Sequence, residues 1–141
     1  MAVVNVVGAG LAGSEACWQL SKAGISVRLF EMKPEKYSPA HRSAGFAELV
    51  CSNSFKAINI ENASGLLKAE MRLLGSISIE ASEKACVPAG GALAVDRERF
   101  SDYITQKILS HPLITVLHQR VDQIPQGKTI IASGPLTESH L

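Results

Sequence analysis

No apolar run in this 141-residue chain approaches the about eighteen residues needed to cross a bilayer. Met1 runs directly into a strand-like segment with no basic, then apolar, cleavable leader, so the expected location is the cytoplasm, without a membrane partner. Neither sign of charge is in excess: basic and acidic residues are well mixed and sum to a net +1. Composition therefore gives no electrostatic reason to expect a nucleic-acid partner, and partners must be argued from sites. Cysteine is sparse. Cys17, Cys51 and Cys86 are odd in number and lack CxxC spacing, so neither a disulfide framework nor a zinc or other metal site is expected. There are no internal repeats and no low-complexity tract. At 46% hydrophobic and 19% charged, the chain has the composition of one compact domain.

The first thirty residues carry a clear pattern. "VVNVV" at 3–7 is a β-branched, nearly uncharged run suited to a parallel strand buried on both faces. "GAGLAG" follows at once, and Ala12, Ala16, Leu20 and Ala23 then recur at helical spacing up to Gly24 at the helix end. "ISVRLFE" at 25–31 is a second strand ending in an acid. In such a βαβ unit Gly8 turns the backbone off the strand, and Gly10 clears the approach of a pyrophosphate to the main chain. Gly13 lets helix and sheet pack closely, and the anion rests on the helix N-terminus. Glu31, eighteen residues after Gly13, is placed to accept from both hydroxyls of an adenosine ribose. Its charge disfavours a 2′-phosphate, so FAD or NAD fits better than NADP. The expected class is α/β.

Beyond Glu31 the pattern lapses until about residue 62, in an apolar-containing stretch that reads as a functional connection. From Ala63 to Leu74, Leu66, Leu67, Met71 and Leu74 form an amphipathic stripe, with Asn62 or Ser64 as N-cap and Gly75 as C-cap. "SISIEASEKA" reads as a short helix, "ACVPAGGALAVD" as two short strands and "RERFSDYITQKILS" as a helix stopped at His111-Pro112. "LITVLHQRVDQI" and "KTIIASG" read as strands around the turn "PQGK".

Cys17 and Cys86 read as packing thiols. Cys51, in "ELVCSNSFK", lies among small polar residues and near Lys56. Its local sequence leaves two readings open, a thiolate nucleophile or a half-buried structural thiol. Lys33, Lys36, Arg42 and Lys56 read as basic residues of a solvated loop.

"EMKPEKYSPAH", "FAELVCSNS", "GLLKAEM", "VPAGGALAVDRERF" and "TIIASGPLTE" together resemble the N-terminal part of the folate- and FAD-dependent tRNA (uracil-5-)-methyltransferases, the TrmFO (Gid) family, over Val4 to Leu141. The larger tRNA-modifying flavoprotein MnmG is a relative that shares "GAGxAGxEA" but not the cysteine segment. The resemblance implies methylation of the T-loop uridine of tRNA with 5,10-methylenetetrahydrofolate as carbon donor, NAD(P)H as reductant and FAD as cofactor, without S-adenosylmethionine. The fold it implies is a Rossmann-like, glutathione-reductase-like FAD-binding domain, a parallel sheet with helices, incomplete at its C-terminal end.

Carried onto this sequence, the resemblance puts Gly8, Ala9, Gly10, Leu11, Ala12 and Gly13 on FAD. It adds Glu31 and Met32 at the second strand, Val121, and Ala132, Ser133 and Gly134 in the returning turn, where Ser133 stands for a usual threonine. Cys51 matches the family's first functional cysteine; whether it adds to uracil itself or assists a second cysteine beyond residue 141 stays open. Arg42, Ser52, Asn53 and Lys56 are its substrate-side candidates. Residues 1–141 would be the N-terminal part of the FAD-binding domain with a functional insertion at about 32–95, the second lobe and the C-terminal return being absent. Such a fragment is expected to be inactive alone and to hold FAD weakly. No oligomeric state is implied. Two other classes fit the glycine motif: a dinucleotide-dependent oxidoreductase of a small molecule, and a non-catalytic binding fragment.

Overall fold

A computed structural model of the chain describes residues 3–137 and 141. Its centre is a four-stranded parallel sheet of β1 (Val3–Val7), β2 (Ser26–Glu31), β6 (Ile114–His118) and β7 (Lys128–Ile131), in the order β6-β2-β1-β7. This is the 3-2-1-4 arrangement of a doubly wound fold, in which the order reverses beside β1 and leaves a crevice at the strands' carboxyl ends. Register is set by paired valines and their neighbours, Val6 lying between Leu29 of β2 and Ile130 of β7.

Helix α1 (Leu11–Lys22) follows the glycine loop. The helix is where its periodicity places it: Gly13, Ser14, Cys17 and Ser21 are buried, Ala16 and Leu20 are half-buried, and Ala12 and Ala23 are exposed. Packing decides this. A Cβ on Gly13 would stand 1.8 Å from the Gly8 carbonyl oxygen, so the helix lies too close to the loop leaving β1 for any larger residue there. Cys17 is wholly buried, and burial pushes its thiol up to about 12.

The crossover from β2 to β6 carries everything else. It contains a three-stranded antiparallel sheet, in the order β3-β5-β4, of β3 (Ser54–Ala57), β4 (Cys86–Val87) and β5 (Ala92–Val95), with helices α2 (Ala63–Leu73), α3 (Ile77–Lys84) and α4 (Arg97–Leu109). Phe100, Ile104 and Ile108 of α4 and Ile77 of α3 join Val6, Val27 and Leu29 of the main sheet in one core. Asp96 caps α4 by accepting from the Arg99 N–H at 2.9 Å.

The structure overturns three expectations. Strand β3 lies within the stretch read as irregular; Lys56 at φ 66° and a register shift break its alternation. Asn62 is the N-cap of α2, but its side chain makes no capping bond. The apolar stripe of α2 does not face the core: Leu66, Leu67 and Leu74 are exposed and Met71 is half-buried. The buried positions are Gly65, whose Cβ would meet the Asn59 carbonyl oxygen at 1.8 Å, and Lys68, whose amine donates to the Phe55 and Ser64 carbonyls. Cys86, read as packed, is exposed on β4.

Glu15 ties α1 to the start of α3. Its carboxylate accepts from the Ser76 hydroxyl at 2.7 Å and from the Ser78 hydroxyl and N–H at 2.8 and 3.1 Å. Burial alone would raise its pKa, but the hydrogen bonds from Gln19, Ser76 and Ser78 outweigh burial and hold it below the ordinary range. A depressed native pKa stabilises above the unfolded-state value and loses that contribution as pH falls through the native one. Glu15→Gln is therefore expected to cost about 1 kcal/mol at neutral pH, discounted for a half-exposed group. Denaturant titrations of both forms should converge as the pH drops below 4.5, the ordinary carboxyl value.

Candidate functional site

A cavity of about 370 Å³ opens at the carboxyl ends of β1, β2 and β7. This is the crevice that the strand order predicts. One wall is the glycine loop and the first turn of α1, Gly8 to Ala12. Gly8 adopts φ 97°, and a Cβ there would lie 2.6 Å from the Ala132 carbonyl oxygen. A Cβ on Gly10 would meet nothing within 4 Å. The first turn of α1 has no side-chain cap and no acidic residue, so its free N–H groups are open to an anion.

Glu31 forms a second wall and is buried. One carboxylate oxygen accepts the Ala9 N–H at 2.8 Å and the other the Lys33 N–H at 2.9 Å. Each oxygen keeps a lone pair for a ligand hydroxyl. The acid thus also holds the glycine loop to the end of β2, a role its position in sequence does not reveal. Met32, Val121, Ala132, Ser133 and Gly134 also line the cavity, whereas Gly13 faces away from it, toward the Gly8 carbonyl. The Ser133 hydroxyl accepts from Thr137 at 2.6 Å.

The third wall comes from the segment before Cys51. Lys33, His41, Glu48 and Val50 line the cavity, none of them singled out as cofactor contacts from the sequence. Only the depth of Lys33 in the fold reveals it: it is 4% exposed rather than solvated. Burial pulls its amine below the ordinary lysine value, against the pull of Glu31 and Glu48. Arg120 and Asp122, paired at 2.6 Å, stand at the rim.

Cys51 is exposed and follows Val50 of the cavity wall. The Arg97 guanidinium donates to its carbonyl at 3.2 Å. Asn53 is locked to β5: its side-chain amide donates to the Val95 carbonyl at 2.9 Å, and its own carbonyl accepts the Val95 N–H at 2.9 Å. The Ser52 hydroxyl accepts from the Ser54 N–H at 3.1 Å. Arg42 and Lys56 are exposed, and neither these two nor Cys51, Ser52 and Asn53 line the cavity. Alkylation of the native protein should accordingly label Cys51 and Cys86 and spare Cys17 until the protein is unfolded, read by peptide mass spectrometry.

Among the described residues there is no cluster suited to a metal ion, and no helix is long and apolar enough to cross a membrane. The solved structure of GidA from Aquifex aeolicus superposes on 82% of this chain and 19% of its own with a TM-score of 0.64 at 16% identity. p-Nitrophenol 4-monooxygenase from Pseudomonas putida superposes on 83% and 32% with a TM-score of 0.52, also at 16% identity. Both likenesses support the α/β fold with its parallel sheet. Among curated proteins, the methylenetetrahydrofolate–tRNA-(uracil-5-)-methyltransferases TrmFO of Listeria monocytogenes and Bacillus licheniformis are 62% and 60% identical over 138 residues, 98% of this chain. The chain spans about a third of their length, 32% in each case. The family model described as glucose inhibited division protein A matches residues 3–140, and the chain belongs to that family.

Proposed function

We propose that this chain supplies the FAD-binding lobe and one reactive cysteine of a folate-dependent tRNA (uracil-5-)-methyltransferase. One observation carries the reading: the exposed Cys51 directly follows Val50, which lines the same cavity as the glycine loop. The relatives at 60% identity and above bear that activity in their names.

The residues fit the cofactor. The space beside Gly10 and the uncapped first turn of α1 suit a pyrophosphate, and Glu31 retains acceptor capacity for an adenosine ribose. Met32, Val121 and the 132–134 turn close around it. Bound FAD supplies reducing equivalents, drawn from NAD(P)H, that convert the methylene unit of 5,10-methylenetetrahydrofolate into a methyl group.

Cys51 supplies the activation that uracil needs. Its thiolate adds to the 6-carbon, and the displaced electron pair makes the 5-carbon nucleophilic toward the one-carbon unit. As the 5-carbon bonds to the one-carbon unit, that unit's bond to its carrier nitrogen breaks and the nitrogen keeps the electron pair; the 5-proton then passes to water, the sulfur–carbon bond breaks and the thiolate is restored. Asn53 and Ser52 fix the backbone beside the thiol through Val95 and Ser54. Arg42 and Lys56, exposed on the same stretch of chain, meet tRNA phosphates. Residues 32–95 act as a functional insertion within a domain that works in the cytoplasm.

The test is label transfer from methylenetetrahydrofolate to the T-loop uridine of tRNA by full-length protein carrying these residues. Absence of transfer, or transfer only from S-adenosylmethionine, would end this reading.

A further inference from the structure

Lys33 is buried, yet its amine serves neither the glycine loop nor a surface partner. It donates to the Ser43 carbonyl at 3.2 Å and the Gly45 carbonyl at 2.5 Å, with the Glu48 carboxylate 3.9 Å away. Glu48 in turn accepts the N–H groups of Arg42 and Ser43 at 3.0 to 3.2 Å. An irregular turn inside a fold leaves carbonyls that must find donors, and an amine is worth burying only where its protons find acceptors. Lys33 answers both needs for the 43–48 turn.

The same turn is clamped from two other sides. The Phe46 N–H donates to the Thr105 hydroxyl at 2.8 Å, and the Ser101 hydroxyl donates to the Phe46 carbonyl at 2.6 Å. Ala47, at φ 50° and buried, donates its N–H to the Ala9 carbonyl at 2.8 Å. A non-glycine residue holds that conformation only where its surroundings over-determine it. Through Ala9 and the Lys33 main chain, both held by Glu31, the turn is registered directly on the dinucleotide loop. Four residues beyond Ala47 comes Cys51.

We infer that Lys33 is a positioning residue, whose buried amine holds the 43–48 turn in register with the dinucleotide loop and so sets where Cys51 stands relative to the cofactor cavity. The inference rests on the role proposed for Cys51. It assigns the side chain to the cysteine segment, whereas the Lys33 main-chain N–H serves Glu31.

The test compares Lys33→Met and Lys33→Arg with wild type in full-length protein. Lys33→Met should lower kcat for methyl transfer by about 100-fold, the scale of an ångström-sized misplacement, while KM for the folate and flavin content per chain change by no more than about threefold. Lys33→Arg, which keeps donors at that position, should recover kcat to within about tenfold of wild type. Amide hydrogen exchange over 43–51 should speed by at least about tenfold in Lys33→Met, with 3–14 left protected. Should Lys33→Met fail to fold, Thr105→Val, which removes the acceptor for the Phe46 N–H, must show the same split. Unchanged kcat overturns the inference, as does a parallel loss of kcat and flavin, which would make the residue one of the fold or the cofactor. If wild type transfers no methyl group, the functional reading falls alone; the exchange data then decide, and unchanged exchange over 43–51 overturns the positioning role.

Discussion

Replacing Cys51 by alanine is expected to lower methyl transfer from methylenetetrahydrofolate to tRNA by roughly 10⁴-fold or more in full-length protein, the scale seen when a nucleophile is removed. The bound-flavin absorbance should stay as in wild type. The two readouts separate because Cys51 is exposed and does not line the cavity, so its truncation leaves no core void and touches no cofactor wall. The contact it does make, from Arg97, is through its main-chain carbonyl and survives the substitution. Cys86→Ala, equally exposed but on β4, should leave transfer unchanged and serves as the control. Full transfer by Cys51→Ala would remove the cysteine from the chemistry while leaving the dinucleotide site standing.

The second large effect distinguishes two glycines of one loop. Gly13→Ala would drive its Cβ to 1.8 Å from the Gly8 carbonyl oxygen and 2.9 Å from its carbon, both backbone atoms that cannot step aside. The first turn of α1 must then move away from the loop, at a cost of about 3 kcal/mol and a fall in Tm on the order of 10 °C. Gly10→Ala meets nothing within 4 Å, so the fold and its Tm should be kept. Its methyl group would instead occupy the open side of the loop, and FAD affinity should fall by about tenfold or more. Thermal denaturation of the flavin-free forms, followed by flavin titration, checks both. Equal melting of the two variants would contradict this division of labour.

The difference between those glycines shows where sequence was informative. Strand, loop and helix from Val3 to Lys22 could be read because local spacing and tertiary need coincide there. The same spacing misassigned the face of α2. Periodicity finds an apolar stripe, but it gives no sign that a glycine of α2 is pressed against a backbone carbonyl only six residues earlier, Gly65 on Asn59, and that approach sets which face is buried. Leu66, Leu67 and Leu74 of α2 therefore stand exposed where a core was expected.

The cavity divides in the same way. Its glycine wall and Glu31 belong to a recurrent motif with a physical reason at each position. Its third wall does not, because Lys33, His41 and Glu48 are ordinary polar residues in an aperiodic stretch. They acquire a role only when Lys33 is buried against the 43–45 carbonyls. Cys86 fails for the converse reason: its apolar neighbours mark a strand, but a two-residue strand at the edge of the small sheet buries nothing by itself.

The pairing of β7 with β1 has a consequence in time. The Ala132 N–H bonds to the Val7 carbonyl at 2.8 Å, and the Ala132 carbonyl roofs Gly8, so two strands more than a hundred residues apart build one pocket between them. On the ribosome, at about 5–20 residues per second, the glycine loop waits roughly 6–25 s for its opposite wall to be synthesised. Until then the cavity lacks that wall, and a truncation short of residue 134 would keep the glycine motif while losing it.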